Sequence, residues 1–155
     1  MGSKHLAAAV VAGSLAGCGG SGGTAAPSTP LLSVAGAYEI RKSVLSDTCG
    51  GRSGTFSNPG EVRHTPGARA FVLNDHGTRD LPKTVNTDDT FSLEPFRSLV
   101  GGVVPAVDMF EGGRFTTSGF GVRVTTDLEA AAGSAACRVV TQWDGAKQGS
   151  PNVIP

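Results

Sequence analysis

Apolar and polar residues alternate one by one along several short stretches of this chain. Tyr38-Glu39-Ile40-Arg41 does so, and Phe120-Gly121-Val122-Arg123-Val124-Thr125 puts Phe120, Val122 and Val124 on one face. In Cys137-Arg138-Val139-Val140-Thr141-Gln142-Trp143 the odd positions share a face, so Cys137, Val139 and Trp143 point together. A period of two is the mark of a strand with one wet face. Shorter candidates lie at 69–73, 90–93 and 114–117. Glycine and proline punctuate the spaces between them, at Cys49-Gly50-Gly51, Asn58-Pro59-Gly60, Thr65-Pro66-Gly67, His76-Gly77, Gly101-Gly102 and Gly112-Gly113. Helical spacing is scarce. Residues 98–110 have room for one turn, and the alanine-rich 128–136 is interrupted by Gly133-Ser134, which makes it a long connection between the two best strands. The expected fold is all-β, a small antiparallel barrel or sandwich of about six to eight strands.

The two ends of the chain have a different texture. Residues 6–15 are apolar or small and uncharged, preceded by Lys4 and followed by Ala16-Gly17. This is the build of a secretory leader, and an apolar core of about 10 residues is too short for a spanning helix. Leu15-Ala16-Gly17-Cys18 resembles the lipobox of bacterial lipoproteins. The resemblance implies a leader over 1–17, cleavage before Cys18, and acylation of that cysteine as the membrane anchor. Cleavage after Ala16, or within 19–26, is the ordinary secretory alternative. Two or three acyl chains hold a protein on a bilayer where one barely does, at about 0.8 kcal/mol per buried methylene. Gly19, where an inner-membrane retention signal of that class would have Asp, implies outer-membrane delivery in a Gram-negative host.

Residues 18–35 start as glycine and serine, continue with proline and threonine, and carry no charge. Such a segment cannot bury enough apolar surface to offset its ordering entropy and is expected to be a flexible tether with a reach of ~20 Å. The domain is expected over 36–148, about 115 residues and one domain in size, followed by a short irregular tail at 149–155. Its core must come from Tyr38, Ile40, Val44, Phe56, Phe71, Leu73, Phe91, Leu93, Phe96, Phe110, Phe115, Phe120, Val122, Val124, Val139 and Trp143. The whole chain has 13 basic and 13 acidic side chains, and loss of Lys4 with the leader leaves 12 against 13. With no basic run or stripe there is no case for a nucleic-acid partner.

Export changes the reading of the cysteines. Cys49 and Cys137 are the pair left beside the anchor, and in an oxidising compartment they are expected to form a disulfide. It would close a loop of about 88 residues, a stabilisation of ~4–5 kcal/mol on the chain-entropy model. An opening Gly36-x-Tyr38 strand, the Cys49-Gly50-Gly51 turn, and a closing Cys137-x5-Trp143-x-Gly145 strand together resemble small bacterial envelope lipoproteins with a stapled β barrel or sandwich. The first and last strands also resemble those of calycins, the lipocalin-like barrels. Neither resemblance supplies a catalytic residue.

Candidate chemistry is sparse. His64 and His76 are not at metal-ligand spacing and no HExxH occurs, so no metal or cofactor is expected. Residues 74–80 cluster polar groups without the acidic spacing of a calcium loop, and read as a solvated turn in which Asp75 and Gly77 serve backbone geometry. Asp88-Asp89 reads as a turn before a strand. Ser53-Gly54 lacks the setting of a nucleophile elbow, so no catalytic residue is assigned. Tyr38 and Trp143 are the candidates for lining a ligand site, against the plain alternative that both are core. Arg114 and Arg123 are expected to face water. The expected function is that of a lipid-anchored envelope component or interaction module, its partner on the membrane side being the bilayer itself through Cys18. The alternatives are a calycin-like carrier of a small hydrophobic ligand and an extracytoplasmic hydrolase.

Overall fold

The computed structural model describes residues 30–155 apart from Thr78, Ala132 and Ser134. The predicted leader, Cys18 and most of the tether therefore lie outside the described residues. Within them, nine strands follow one another without a helix: β1 (Gly36–Asp47), β2 (Thr55–His64), β3 (Ala70–Asp75), β4 (Arg79–Val85), β5 (Thr90–Leu93), β6 (Phe96–Val100), β7 (Val104–Thr116), β8 (Gly119–Leu128) and β9 (Cys137–Lys147). Neighbours run antiparallel in the order β5-β4-β3-β2-β1-β9-β8-β7-β6. A short pairing of β5 with β7, Thr90 with Arg114 and Phe91 with Gly113, closes eight strands into a barrel. β6 is the extra strand, laid along the first half of β7 from Phe96↔Asp108 to Val100↔Val104. The expected all-β antiparallel class stands, as a barrel.

Closure depends on a place without a side chain. β7 bulges between Glu111 and Arg114, with Gly112 at a φ of 64°. A Cβ on Gly113 would lie 2.5 Å from the Phe91 ring, so only glycine lets β5 and its phenylalanine close over β7.

Three segments depart from the sequence reading. Asn58-Pro59-Gly60, expected as a turn, lies inside β2. The Pro59 carbonyl accepts from the His76 N–H at 3.1 Å, so the missing Pro59 N–H faces the side where the β2–β3 ladder ends, at Gly60↔Asp75. No ladder bond is lost there. Residues 98–110 hold no helical turn but the β6–β7 hairpin, with Gly101 and Gly102 at φ of 60° and 76° supplying the tight turn. β4, around Pro82, is a strand that the alternation did not mark.

The two ends of the barrel differ. At one, Phe71, Phe91, Phe115 and Phe120 fill the interior with ring centres 4.8–6.3 Å apart, and Tyr38 stands 5.3 Å from Phe120. Phe120 lies directly on Gly145, where a Cβ would be 2.2 Å from its ring. Both chain segments that flank the barrel cover this end. Ser33 and Val153 exchange two backbone hydrogen bonds of 3.0 and 2.9 Å, Leu32 and Ile154 pack on the core, and Asn152 is buried, its amide donating to Thr116 O at 2.8 Å and Gly119 O at 3.2 Å. The tail and the last residues of the expected tether are thus irregular in conformation yet docked.

At the opposite end, Cys49 and Cys137 form the disulfide, with a Cα–Cα distance of 5.0 Å. It extends the β1–β9 ladder past Asp47↔Val139. Asp47 shapes the loop that carries Cys49 by accepting the N–H groups of Arg52, Cys49 and Gly51. Those donors, Arg52 first, hold its carboxyl below the usual carboxylate value.

Candidate functional site

Alternation carries charge into the barrel at the open end. On β1 the inward positions run Tyr38, Ile40, Lys42; on β3, Phe71, Leu73, Asp75; on β7, Ala106, Asp108, Phe110. Arg79 opens β4 at the same level. Four strands therefore each place one ionised group where the next apolar layer would otherwise be, and the set is neutral.

The groups are joined into one network. Lys42 Nζ donates to both Asp75 oxygens at 2.8 Å, and Asn58 Nδ2 donates to Asp75 Oδ1 at 2.8 Å. Arg79 turns Nε and Nη2 to Asp75 Oδ2, at 3.0 and 2.9 Å, and Nη1 to Asp108. Thr126 Oγ1 donates to the other Asp108 oxygen. Trp143, whose Nε1 donates to Thr141 Oγ1 at 3.0 Å, lies against both cations. Lys42 Nζ is 3.8 Å and Arg79 Cζ 5.2 Å from its ring centre, close enough for the ring's negative face to attract both.

Burial tunes these charges against each other. It pushes the Lys42 ammonium below its ordinary value, and the Asp75 partnership only partly offsets that. Burial alone would raise Asp75, but Lys42, Asn58 and Arg79 outweigh it and hold the carboxyl below the usual range. Among the described residues no buried side-chain nitrogen or oxygen lacks a partner.

Above the network the wall of the barrel is notched. β4 pairs with β5 only from Lys83↔Leu93 to Val85↔Phe91, and Glu94-Pro95 then leads the chain away to β6. Arg79 spans the resulting gap from β4 to Asp108 on β7, stacked 5.1 Å from the Phe96 ring. A pocket of about 610 Å³ occupies the notch. Lys42, Asp75 and Arg79 form its floor with Asn58, Phe56 and Phe96 form walls, and His76 and Ser98 stand at the edge. A second depression of about 660 Å³ adjoins the disulfide. Of its charged groups, Asp127 and Arg138 bind each other at 2.6 and 3.0 Å, Glu129 is the third, and no aromatic ring lines it.

Tyr38 and Trp143, read as a pair, are separated. Tyr38 is on the plugged end, its hydroxyl within hydrogen-bonding distance of Val34 O (2.7 Å) and Asn152 Oδ1 (2.8 Å). Burial pushes its pKa up to about 12. Trp143 is instead beside Lys42, its partner in the β1–β9 register. His64 and His76 also lie apart: His64 bridges Val34 N and Ala68 O near the plugged end, and His76 sits in the β3–β4 turn at a φ of 58°. No group of three or more potential metal ligands occurs among the described residues. In the 74–80 segment, Asn74 and Asp80 bind each other outside at 2.7 Å, as a turn would. Asp75 goes beyond the reading: its carboxylate serves the buried network. Asp88 accepts from Thr90 N and Oγ1 and does cap a turn, and Arg114 and Arg123 are exposed as expected.

Lys42, Asn58, Asp75, Arg79, Asp108, Phe56 and Phe96 were not singled out as site residues from the sequence. The signal was available for three of them, a charge at the inward parity of an apolar alternation. No known protein family matches the chain, and no curated protein or solved structure is significantly similar to it.

Proposed function

We propose that the chain is a lipid-anchored component of a bacterial cell envelope whose barrel acts there as a binding module, with the notched end as its working surface. The lipobox-like Leu15-Ala16-Gly17-Cys18 supports the anchor, and the Cys49–Cys137 disulfide supports an oxidising, extracytoplasmic setting. One observation carries the rest. The chain reaches the barrel at the plugged end, where Ser33 pairs with Val153, so a membrane anchor upstream attaches at the end opposite the pocket and leaves the pocket free. In a Gram-negative host Gly19 favours the outer membrane.

The neighbour-to-neighbour barrel supports the calycin-like alternative, but the phenylalanine cluster occupies the space that a carrier of hydrophobic ligands would keep open. A hydrolase would need polar groups from separate strands converging in a cleft, as Lys42, Asn58, Asp75 and Arg79 do at the notch; against it, His64 lies at the other end and His76 only at the pocket's edge.

The test is replacement of the anchor. The wild-type protein is expected in the membrane fraction with an acylated Cys18 at its mature amino terminus, and Cys18→Ala in the soluble fraction. A Cys18→Ala protein that stays membrane-bound, or a wild-type protein with an unmodified Cys18, overturns the reading.

A further inference from the structure

We propose that the notch binds a small organic carboxylate with an aromatic or short apolar body, the carboxylate meeting Lys42 and Arg79 and the body resting between Phe56 and Phe96. This rests on the reading of the notched end as the working surface and names the ligand class.

The lining has an excess of donors. A lysine ammonium has three protons, a guanidinium five and an asparagine amide two, and all three groups border the pocket. The carboxylate bordering it, Asp75, already accepts from Lys42, Asn58 and Arg79. The second carboxylate of the network, Asp108, is buried behind Arg79 and does not border the pocket. The space is therefore faced by two cations and one carboxylate, and the protons that Lys42 and Arg79 do not spend on Asp75 and Asp108 suit an acceptor with negative charge.

The walls ask for something different from the floor. Phe56 is 52 % exposed, although its inward parity on β2 would place it in a core. Its ring stands 5.9 Å from Lys42 Nζ, and across the notch Phe96 is only half-buried. An apolar body laid between them would remove wet ring surface at about 25 cal/mol per Å². A bare inorganic anion would leave that surface wet. A pocket of about 610 Å³ lies within the usual 300–1,000 Å³ range of small-molecule sites.

The test uses the full-length Cys18→Ala chain and the fluorescence of Trp143, the single tryptophan, which adjoins the floor. Phenylacetate is expected to change the signal saturably. Phenylacetamide, which keeps the ring and loses the charge, and acetate, which keeps the charge and loses the ring, are each expected to bind at least tenfold more weakly. Phe56→Ala, at an exposed ring, is expected to weaken phenylacetate at least tenfold with an unchanged melting temperature. No saturable response to phenylacetate, equal binding of phenylacetamide or acetate, or an unaffected Phe56→Ala overturns the proposal. The variant cannot be acylated, so these outcomes are independent of anchoring: failure here leaves the anchored reading standing, and failed fractionation of the wild type leaves a positive titration standing.

Discussion

The plugged and the notched ends of one barrel are built from the same alternation and filled with opposite chemistry. At the plugged end phenylalanines fill the inward slots, the rings pack edge to face, and glycines at 113 and 145 let the backbone meet the rings. Each buried side chain of this kind contributes about 1.5–3 kcal/mol. At the notched end the inward slots hold Lys42, Asp75, Arg79 and Asp108, taken out of water and joined to each other. A buried ion network of this sort adds little net stability over an apolar filling, yet it is costly to break. The difference assigns roles. The phenylalanine end supplies the stability, and the charged end spends some of it on a surface with fixed donors.

The comparison breaks first at Asp75. Removing one partner of a buried ion pair costs about 3–5 kcal/mol, and Asp75→Ala is expected to lose that much in urea denaturation because Lys42 and Arg79 are stranded. The double variant Lys42→Met/Asp75→Leu is expected to regain at least half of the loss. A double variant no more stable than Asp75→Ala would show that the pair itself was worth the energy. At the other end, one methyl group is the probe. Gly145→Ala pushes a Cβ against the Phe120 ring and is expected to cost about 1–3 kcal/mol, the range for overpacking. Full tolerance would mean that the plugged end is looser than its ring spacing indicates.

The smallest effect is invisible at neutral pH. Tyr38 ionises near 10.0 when unfolded and near about 12 when folded, so the unfolded chain loses the proton first. The stability linked to Tyr38 is therefore intact below pH 10 and is lost as pH rises towards 12. Tyr38 is the single tyrosine, which makes tyrosinate absorbance a direct readout. The expected midpoint falls from about 12 to about 10 on adding denaturant, and Tyr38→Phe is expected to flatten the alkaline loss of melting temperature. A folded midpoint near 10 would contradict the burial of that hydroxyl.

Much of the fold was legible because a period of two survives wherever one face is apolar. β1, β8, β9 and β5 were marked by their own residues, and Cys49–Cys137 by the redox logic of export. What escaped has a common physical reason. β2 passes through Asn58-Pro59-Gly60 and β4 through Pro82, and composition cannot tell that a proline N–H faces an edge with no ladder to lose. The site escaped for a related reason. Tyr38 and Trp143 stand out in the sequence as aromatic, whereas the pocket is marked by charges in apolar phase: Lys42 two residues after Ile40, Asp75 two after Leu73, Asp108 two before Phe110. Arg79 carries no such mark, since it opens its strand just after a turn, and only the split between β4 and β6 gives it a task.

The Ser33–Val153 clamp has a mechanical consequence. Tension arriving from upstream of Pro30 meets three backbone hydrogen bonds, from Gly67 N–H to Leu32 O and the Ser33–Val153 pair, and the packing of Leu32 before it meets β1, which is laddered on both edges. At about 0.5–1.5 kcal/mol per bond, those three yield first, and the slack they release spares the barrel. The clamp is a fuse: a pull from upstream frees a few residues there and leaves the far end of the barrel in shape.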